Sequence, residues 1–396
     1  MHTEPMKSYD PDHCGPLHDV RVLDLSRLVA GNMLSMYLAD FGADVIKVER
    51  EGSGDDLRNW KEGGQDIYWK VYGRNKRSLA LDLKTDEGRA LLERLLPTAH
   101  VLIENFVPGG LEKLGLAPER LMQINPRLIV VRISGWGQNG PYRHKPGFGT
   151  LVEAMSGFAF LNGYPDRPPV LPPLALADMV AGIYGAAGVL TALRAAERDG
   201  LGQVIDLSLF EPVFSLVSSE AARYQVTGES TLRAGNQAAH TAPRNVYATQ
   251  DSRYIALSGS MQSMAMRILD TIGHPELKTD PRFASNDARV RHREELDALI
   301  GEFIGARSAQ ECMRVFDEAG VTAAPICSVA ELLDHPYTLG REAIVTLADE
   351  QLGGLPMHNV IPRLSRTPGG FTRPAPKLGA DTSDIRAELA EKPATP

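Results

Sequence analysis

VRVLDLSRLVAGNMLSMYLADFGADVIKVER, residues 20–50, decides the fold. Its first six residues (20–25) are mostly Val and Leu and read as a buried strand. SRLVAGN is a loop, MLSMYLADFGA has helical apolar spacing, and DVIKVER (44–50) is a second strand-length apolar run. Strand, crossover helix, strand is a βαβ unit, which predicts a parallel sheet. The alternation continues outward. SLALDL (78–83) reads as a strand and TDEGRALLERLLPTA as a helix capped by Thr85. AHVLIENF (99–106) is a strand, PERLMQINP a helix, and RLIVVRISGWG (127–137) a strand ending in glycine turns. Through about residue 140 the expectation is a doubly wound, Rossmann-like α/β domain.

The chain has 396 residues, more than one hydrophobic core usually supports, so a second domain is expected. QVIDLSLFEPV (203–213) reads as a strand leading into a helix. Beyond about 216, short strands in NVYATQ and YIALSG mix with helices, which predicts a smaller α+β domain. Residues 1–17 contain acids and prolines without an apolar core, so they read as a flexible N-terminus and not as a signal peptide. A net charge of −8 argues against a nucleic-acid or membrane surface, while allowing a local basic pocket for a phosphorylated ligand. Three widely spaced cysteines, Cys14, Cys312 and Cys327, form no CxxC pair; no disulfide framework and no metal site are expected, in keeping with the cytoplasm.

LALADMVAGIYGAAGVLTAL (174–193) is long enough to test as a membrane span. Its Asp and small residues predict instead a buried helix packed closely through Gly182, Gly185 and Gly188. Asp178 is the only charge between Arg167 and Arg194. A carboxylate in apolar surroundings needs a partner or a task. One reading is a helix N-cap. The compatible second reading is an ionised nucleophile, with helix amides and dipole favouring its charge. No Ser-His-Asp set or metal cluster competes with it. His144 (HKPGF) and His240 (HTAPR) are the histidines best placed to line a site.

The first strand–loop–helix invites a dinucleotide, and Glu49 ends the second strand where such folds bind a ribose. SRLVAGN, however, has one glycine where GxGxxG needs three. Basic residues cluster near strand ends instead: Arg50, then Arg74, Lys76 and Arg77, then Lys113, with Asn105 and Phe106 closing the fourth strand. Ligands of parallel sheets bind beyond the strands' carboxyl ends. Arg and Lys suit phosphates there, and an aromatic can face a base or a pantetheine arm.

In order, VRVLDLSRLVAGNMLSMYLADFGADVIKVEREGSGDDLR, GRNKRSLALDLKTDEG, VLIENFVPGGLEKLG, ALADMVAG, GLGQVIDLSL and RPAPKLG resemble class III CoA-transferases, the CaiB–BaiF group that includes formyl-CoA transferase. The resemblance runs from about residue 18 to 390. It implies that Asp178 is the nucleophile, forming acyl-aspartyl anhydride and aspartyl-CoA thioester intermediates. It also implies that Val29 and Ala30 lie by the pantetheine, and that Arg50, Lys76, Asn105, Phe106 and Lys113 surround the CoA nucleotide. Acyl-CoA and a carboxylic acid would be substrates, with no tightly bound cofactor and no metal. The implied architecture is an interlocked homodimer. Its large domain spans 18–215, a small domain with linkers spans 216–330, and 331–396 returns to complete the large domain.

Two departures matter. Formyl-CoA transferase has a glycine run over its site, absent near GNQAAHTAPRN, and Gln where this chain has Val29. Related acyl-CoA racemases carry His and Asp where this chain has Phe148 and Gly149, and Phe148 cannot exchange a proton. Transferase chemistry is therefore expected, with an acyl-CoA racemase or a non-catalytic CoA-binding homologue as alternatives. The segments GFGTLVEAM (147–155) and DRPPVLPPLALAD (166–178) resemble relatives acting on short dicarboxylates, succinyl-CoA being the expected donor. Arg27, Arg244 and His240 are candidates for a distal carboxylate.

Overall fold

The computed structural model describes residues 6–391. Six parallel strands, β1 (Arg21–Asp24), β2 (Asp44–Glu49), β3 (Lys76–Ala80), β4 (Val101–Glu104), β5 (Ile129–Ser134) and β6 (Val204–Ser208), pair in the order β3-β2-β1-β4-β5-β6. This is the doubly wound order. Its winding direction reverses between β1 and β4, which opens a crevice at their carboxyl ends. Both faces of the sheet are covered, so the central strands are apolar throughout: Leu23, Ile46, Val101, Leu102, Ile129 and Val130 are fully buried.

The first helix, α1 (Ala30–Asp40), packs against the long helix Leu176–Asp199. Glycines set how close they come. A Cβ on Gly182 would fall 2.7 Å from the Met33 Cβ, and one on Gly185 2.5 Å from a Leu34 methyl carbon. Gly188 does not share this role, its nearest neighbours being 3.9 Å away. The long helix is the one described helix apolar and long enough to cross a membrane, and it buries Ala177, Ala181, Gly185, Ala186 and Val189 in the domain core. Thr85 caps the helix Asp86–Leu95 as expected, accepting from the Gly88 amide at 3.0 Å.

The chain divides into two compact units. The larger holds the described residues to Phe158, then Leu171–Ser218 and the chain from Leu339 on. In it, strands β10 (Ile344–Asp349) and β11 (Gly353–His358) form an antiparallel hairpin, and the helix Thr382–Glu391 buries Ile385 and Leu389 with β3 residue Leu79. Residues 1–5 of the expected flexible N-terminus lie outside the described residues. Farther along, that segment is tied down: Lys7 and Asp10 amides bond to the Thr346 and Phe371 carbonyls at 2.9 and 2.8 Å. The second unit comprises Ala159–Val170 and Ser219–Thr338. Its antiparallel sheet β7-β8-β9 (Arg244–Ala248, Tyr254–Ser258, Ala323–Pro325) carries a helical layer on a core of Ile255, Leu257, Ile268, Ile300 and Phe316.

Candidate active site

The loops after β1 and β4 meet at the winding reversal and are tied together. The Asn105 side chain accepts from the Arg27 amide at 2.9 Å and donates to the Arg27 carbonyl at 2.7 Å. Asp55 receives the amides of Leu28 and Leu57 and the Asn32 side chain at 2.8–2.9 Å. Leu28, held by that bond, takes a left-handed φ of 62°. Beneath the loop, two wholly buried lysines complete the frame. Lys47 pairs with Asp55 at 3.1 Å and Asp24 at 3.4 Å; Lys76 Nζ donates to Asn32 Oδ1 at 2.9 Å and lies 3.6 Å from Asp24.

Lys76 is thus not a nucleotide contact, as the sequence suggested, but a core cation bracing the β1–α1 loop. Its cost is visible: burial, outweighing Asp24, pulls its ammonium down to about 8. Glu49 is equally committed. It accepts from Arg58 at 2.7 and 2.8 Å and from Ser78 at 2.7 Å, which leaves no carboxylate for a ribose. Arg74 is also buried, paired with Asp40 at 2.6 Å.

Above this frame opens a cavity of about 600 Å³, lined by Arg27, Leu28, Ala30, Asn105, Phe106, Lys113, Trp136, the segment 143–148 and Asp178. A second hollow of about 210 Å³ shares Arg27, Asp56 and Phe106 with it and adds Arg50. Of the residues expected to contact CoA, Ala30, Asn105, Phe106 and Lys113 are therefore brought together with Asp178, and Arg50 borders the adjoining hollow. Val29 is buried against Leu57 and Trp69 and does not face the cavity. A larger cleft of about 890 Å³ lies at the opposite, amino-terminal edge of the sheet, where Arg21 is already paired with Asp44 at 2.7 Å.

The cavity's basic wall includes three residues that sequence reasoning did not single out together. Arg143, His144 and Lys145 follow one another on the loop after β5, with Phe148 projecting beyond them. Glycines let this loop close down: a Cβ on Gly147 would fall 2.7 Å from Trp136 Nε1, which donates to the Pro146 carbonyl at 3.1 Å. Three consecutive basic residues after a Gly-Pro turn were the available signal. Arg244 and His240 belong to the second unit, where Arg244 bonds to the carbonyls of Asn236 and Gln237 at 3.3 and 3.4 Å.

Asp178 lies in the first turn of the helix Leu176–Asp199, but Ala175 is its N-cap and no side chain caps there. The expected capping role is corrected accordingly. Its carboxylate is half-buried and faces the cavity. Burial, then the nearby Glu153 carboxylate, pushes it up to about 6, against the opposing pull of its own and the Ala30 amides. The helix amides do not dominate, as the sequence had suggested they would. An added Cβ at Gly149 would stand 2.6 Å from Asp178 Oδ2, so a side chain there would have to displace that carboxylate. The position that bears an acid in the racemases is thus a glycine packed close against Asp178 here. Among the described residues, no group of three His, Cys, Asp or Glu side chains could hold a metal ion.

The family model of CoA-transferase family III matches residues 17–382. The chain is 43% identical to the succinyl-CoA–D-citramalate CoA-transferase of Chloroflexus aurantiacus, with 94% of both chains covered. It is 36% identical to the succinate–glutarate CoA-transferase of Agrobacterium fabrum, covering 98% of this chain and 99% of that one. A crystal structure of a CaiB/BaiF family protein from Brucella suis superposes with a TM-score of 0.84 at 35% identity, covering 95% of this chain and all (100%) of that one.

Proposed function

The chain belongs to CoA-transferase family III, and we propose that it carries CoA from succinyl-CoA, or another short dicarboxylyl-CoA, to a second dicarboxylic acid through covalent intermediates on Asp178. The observation carrying this reading is the Asp178 carboxylate facing a cavity whose other walls are Arg27, Lys113 and the basic loop 143–145. Cations there suit the CoA phosphates and the charge of a dicarboxylate. Both relatives described above are named for dicarboxylate substrates, which supports the same class here.

The chemistry follows from the type of group. An Asp178 oxygen attacks the thioester carbonyl carbon; a C–O bond forms, the C–S bond breaks, and CoA leaves as thiolate with the electron pair, giving an acyl-aspartyl anhydride. The thiolate attacks the aspartyl carbonyl, releasing the donor acid as carboxylate and leaving an aspartyl-CoA thioester. The acceptor carboxylate then displaces the thiolate, forming a second anhydride. Return of the thiolate to the acceptor's carbonyl yields the new acyl-CoA and regenerates Asp178. No net proton moves, so no acid–base partner is required. The Ala30 amide, which faces Asp178, supplies a hydrogen-bond donor beside the reacting carboxyl.

A homodimer in the cytoplasm completes the proposal. Its support is an exposed apolar stripe on the long helix, with Ile183 and Tyr184 about half exposed at 53% and 48%, joined by Phe214 and Leu216 on Phe210–Leu216. The test is direct. Purified protein mixed with succinyl-CoA and hydroxylamine should yield an adduct at Asp178 in peptide mass spectra. It should also pass CoA to at least one of a panel of four- to six-carbon dicarboxylic acids. Absence of the adduct refutes the covalent route, and transfer to none of the acids refutes the substrate class.

A further inference from the structure

We propose that Glu153 is a positioning residue for this reaction: it fixes the first turn of the helix bearing Asp178, and its charge disfavours the free Asp178 carboxylate relative to the acylated forms. The inference rests on Asp178 being the nucleophile.

Glu153 sits on the helix Gly149–Met155 and is only 3% exposed. Its Oε1 accepts from the Ala177 amide at 3.0 Å, the residue immediately before Asp178. That amide is one of the four left unpaired at a helix start, so the bond anchors the turn that carries the nucleophile. The same helix presses on Asp178 through Gly149, whose added Cβ would lie 2.6 Å from Asp178 Oδ2 and 3.4 Å from the Ala177 Cβ. Neither carboxylate has an ion-pair partner among the described residues. A buried carboxylate without a cation is costly, and a neutral cap would satisfy the same amide at less expense.

The extra charge has a use in the reaction. Acylation turns the Asp178 carboxylate into a neutral anhydride or thioester. Its repulsion with Glu153 then disappears, together with its own desolvation penalty. Glu153 therefore raises the ground state more than the covalent states, a differential effect of the kind that accelerates a reaction. The other groups facing Asp178 are the Ala30 amide on α1 and, around the cavity, Arg27, Asp56, Lys113, Arg143, His144 and Lys145. Those six side chains reach solvent and are screened; the buried Glu153 is not.

The decisive variant is Glu153→Gln, which keeps the acceptor for Ala177 and the volume but removes the charge, compared with Glu153→Ala, which loses both. With kcat/KM for succinyl-CoA measured from acid to alkaline pH, the acid limb of Glu153→Gln should move down by about one pH unit. Its plateau kcat should fall severalfold with KM little changed, and Glu153→Ala should lose more kcat than Glu153→Gln. An acid limb coincident with that of the parent overturns the proposal. Should the variants not fold, ¹³C-carboxyl NMR of the parent decides: the Asp178 signal, assigned by its loss in Asp178→Asn, should titrate above an ordinary Asp. A single unperturbed step overturns the idea. The hydroxylamine adduct in the parent separates the two readings, since its presence with a coincident limb sinks only the role of Glu153.

Discussion

Removing the proposed nucleophile should make the protein more stable. Asp178 rises from an ordinary 3.8 to about 6 because burial and Glu153 penalise its charge. The unfolded chain feels neither, so folding must overcome that penalty whenever the group is ionised. Two units correspond to about 3 kcal/mol, and partial exposure to the cavity reduces this to about 1–2 kcal/mol. The sign runs one way. Above about pH 6 the full penalty applies; between about 6 and 3.8 the folded state takes up the proton and the penalty shrinks; below 3.8 both states are neutral and it is gone. Asp178→Asn is neutral throughout. Its melting temperature should exceed the parent's by about 1–3 °C at pH 7.5, given the unfolding entropy of a chain this size, and should match it near pH 3.5. Scanning calorimetry at pH 7.5, 6, 5 and 3.5 reads the trend. A less stable Asp178→Asn at pH 7.5, or an advantage unchanged at acid pH, would refute the picture of a strained carboxylate held for chemistry.

The cavity's cations make distinct predictions. Lys113→Ala should weaken CoA more than dephospho-CoA by isothermal titration if its ammonium meets the 3′-phosphate, and an equal loss for both would remove that assignment. Lys76→Met should instead destabilise the fold by about 3 kcal/mol with or without ligand, because it strips a buried partner from Asp24; urea titration that finds no loss would return Lys76 to the ligand.

The βαβ opening was legible because its apolar runs and helical spacing are local signals. Strand ends were less so. SLALDL placed the third strand at 78, whereas β3 begins at Lys76, a cation that looks like loop until Asp24 and Asn32 arrive from elsewhere. Asp178 could be recognised as the odd charge in an apolar helix, but its position inside the first turn and its dependence on Glu153 could not. The acceptor for Ala177 comes from a separate helix, and no local window contains it. Nor does composition reveal that 159–170 belongs with the second unit, since that allegiance lies in long-range packing such as the Gly235 amide on the Gly163 carbonyl at 2.9 Å.

The clasp between Asn105 and residue 27 has a practical consequence. It grips only the main chain at position 27, so the clasp itself does not depend on the Arg27 side chain, which reaches instead to Asp56 at 3.6 Å. Position 27 is thus a swappable fixture on a rigid mount: its head group can be exchanged to retune what the cleft admits, while Asn105 is the bolt that must stay.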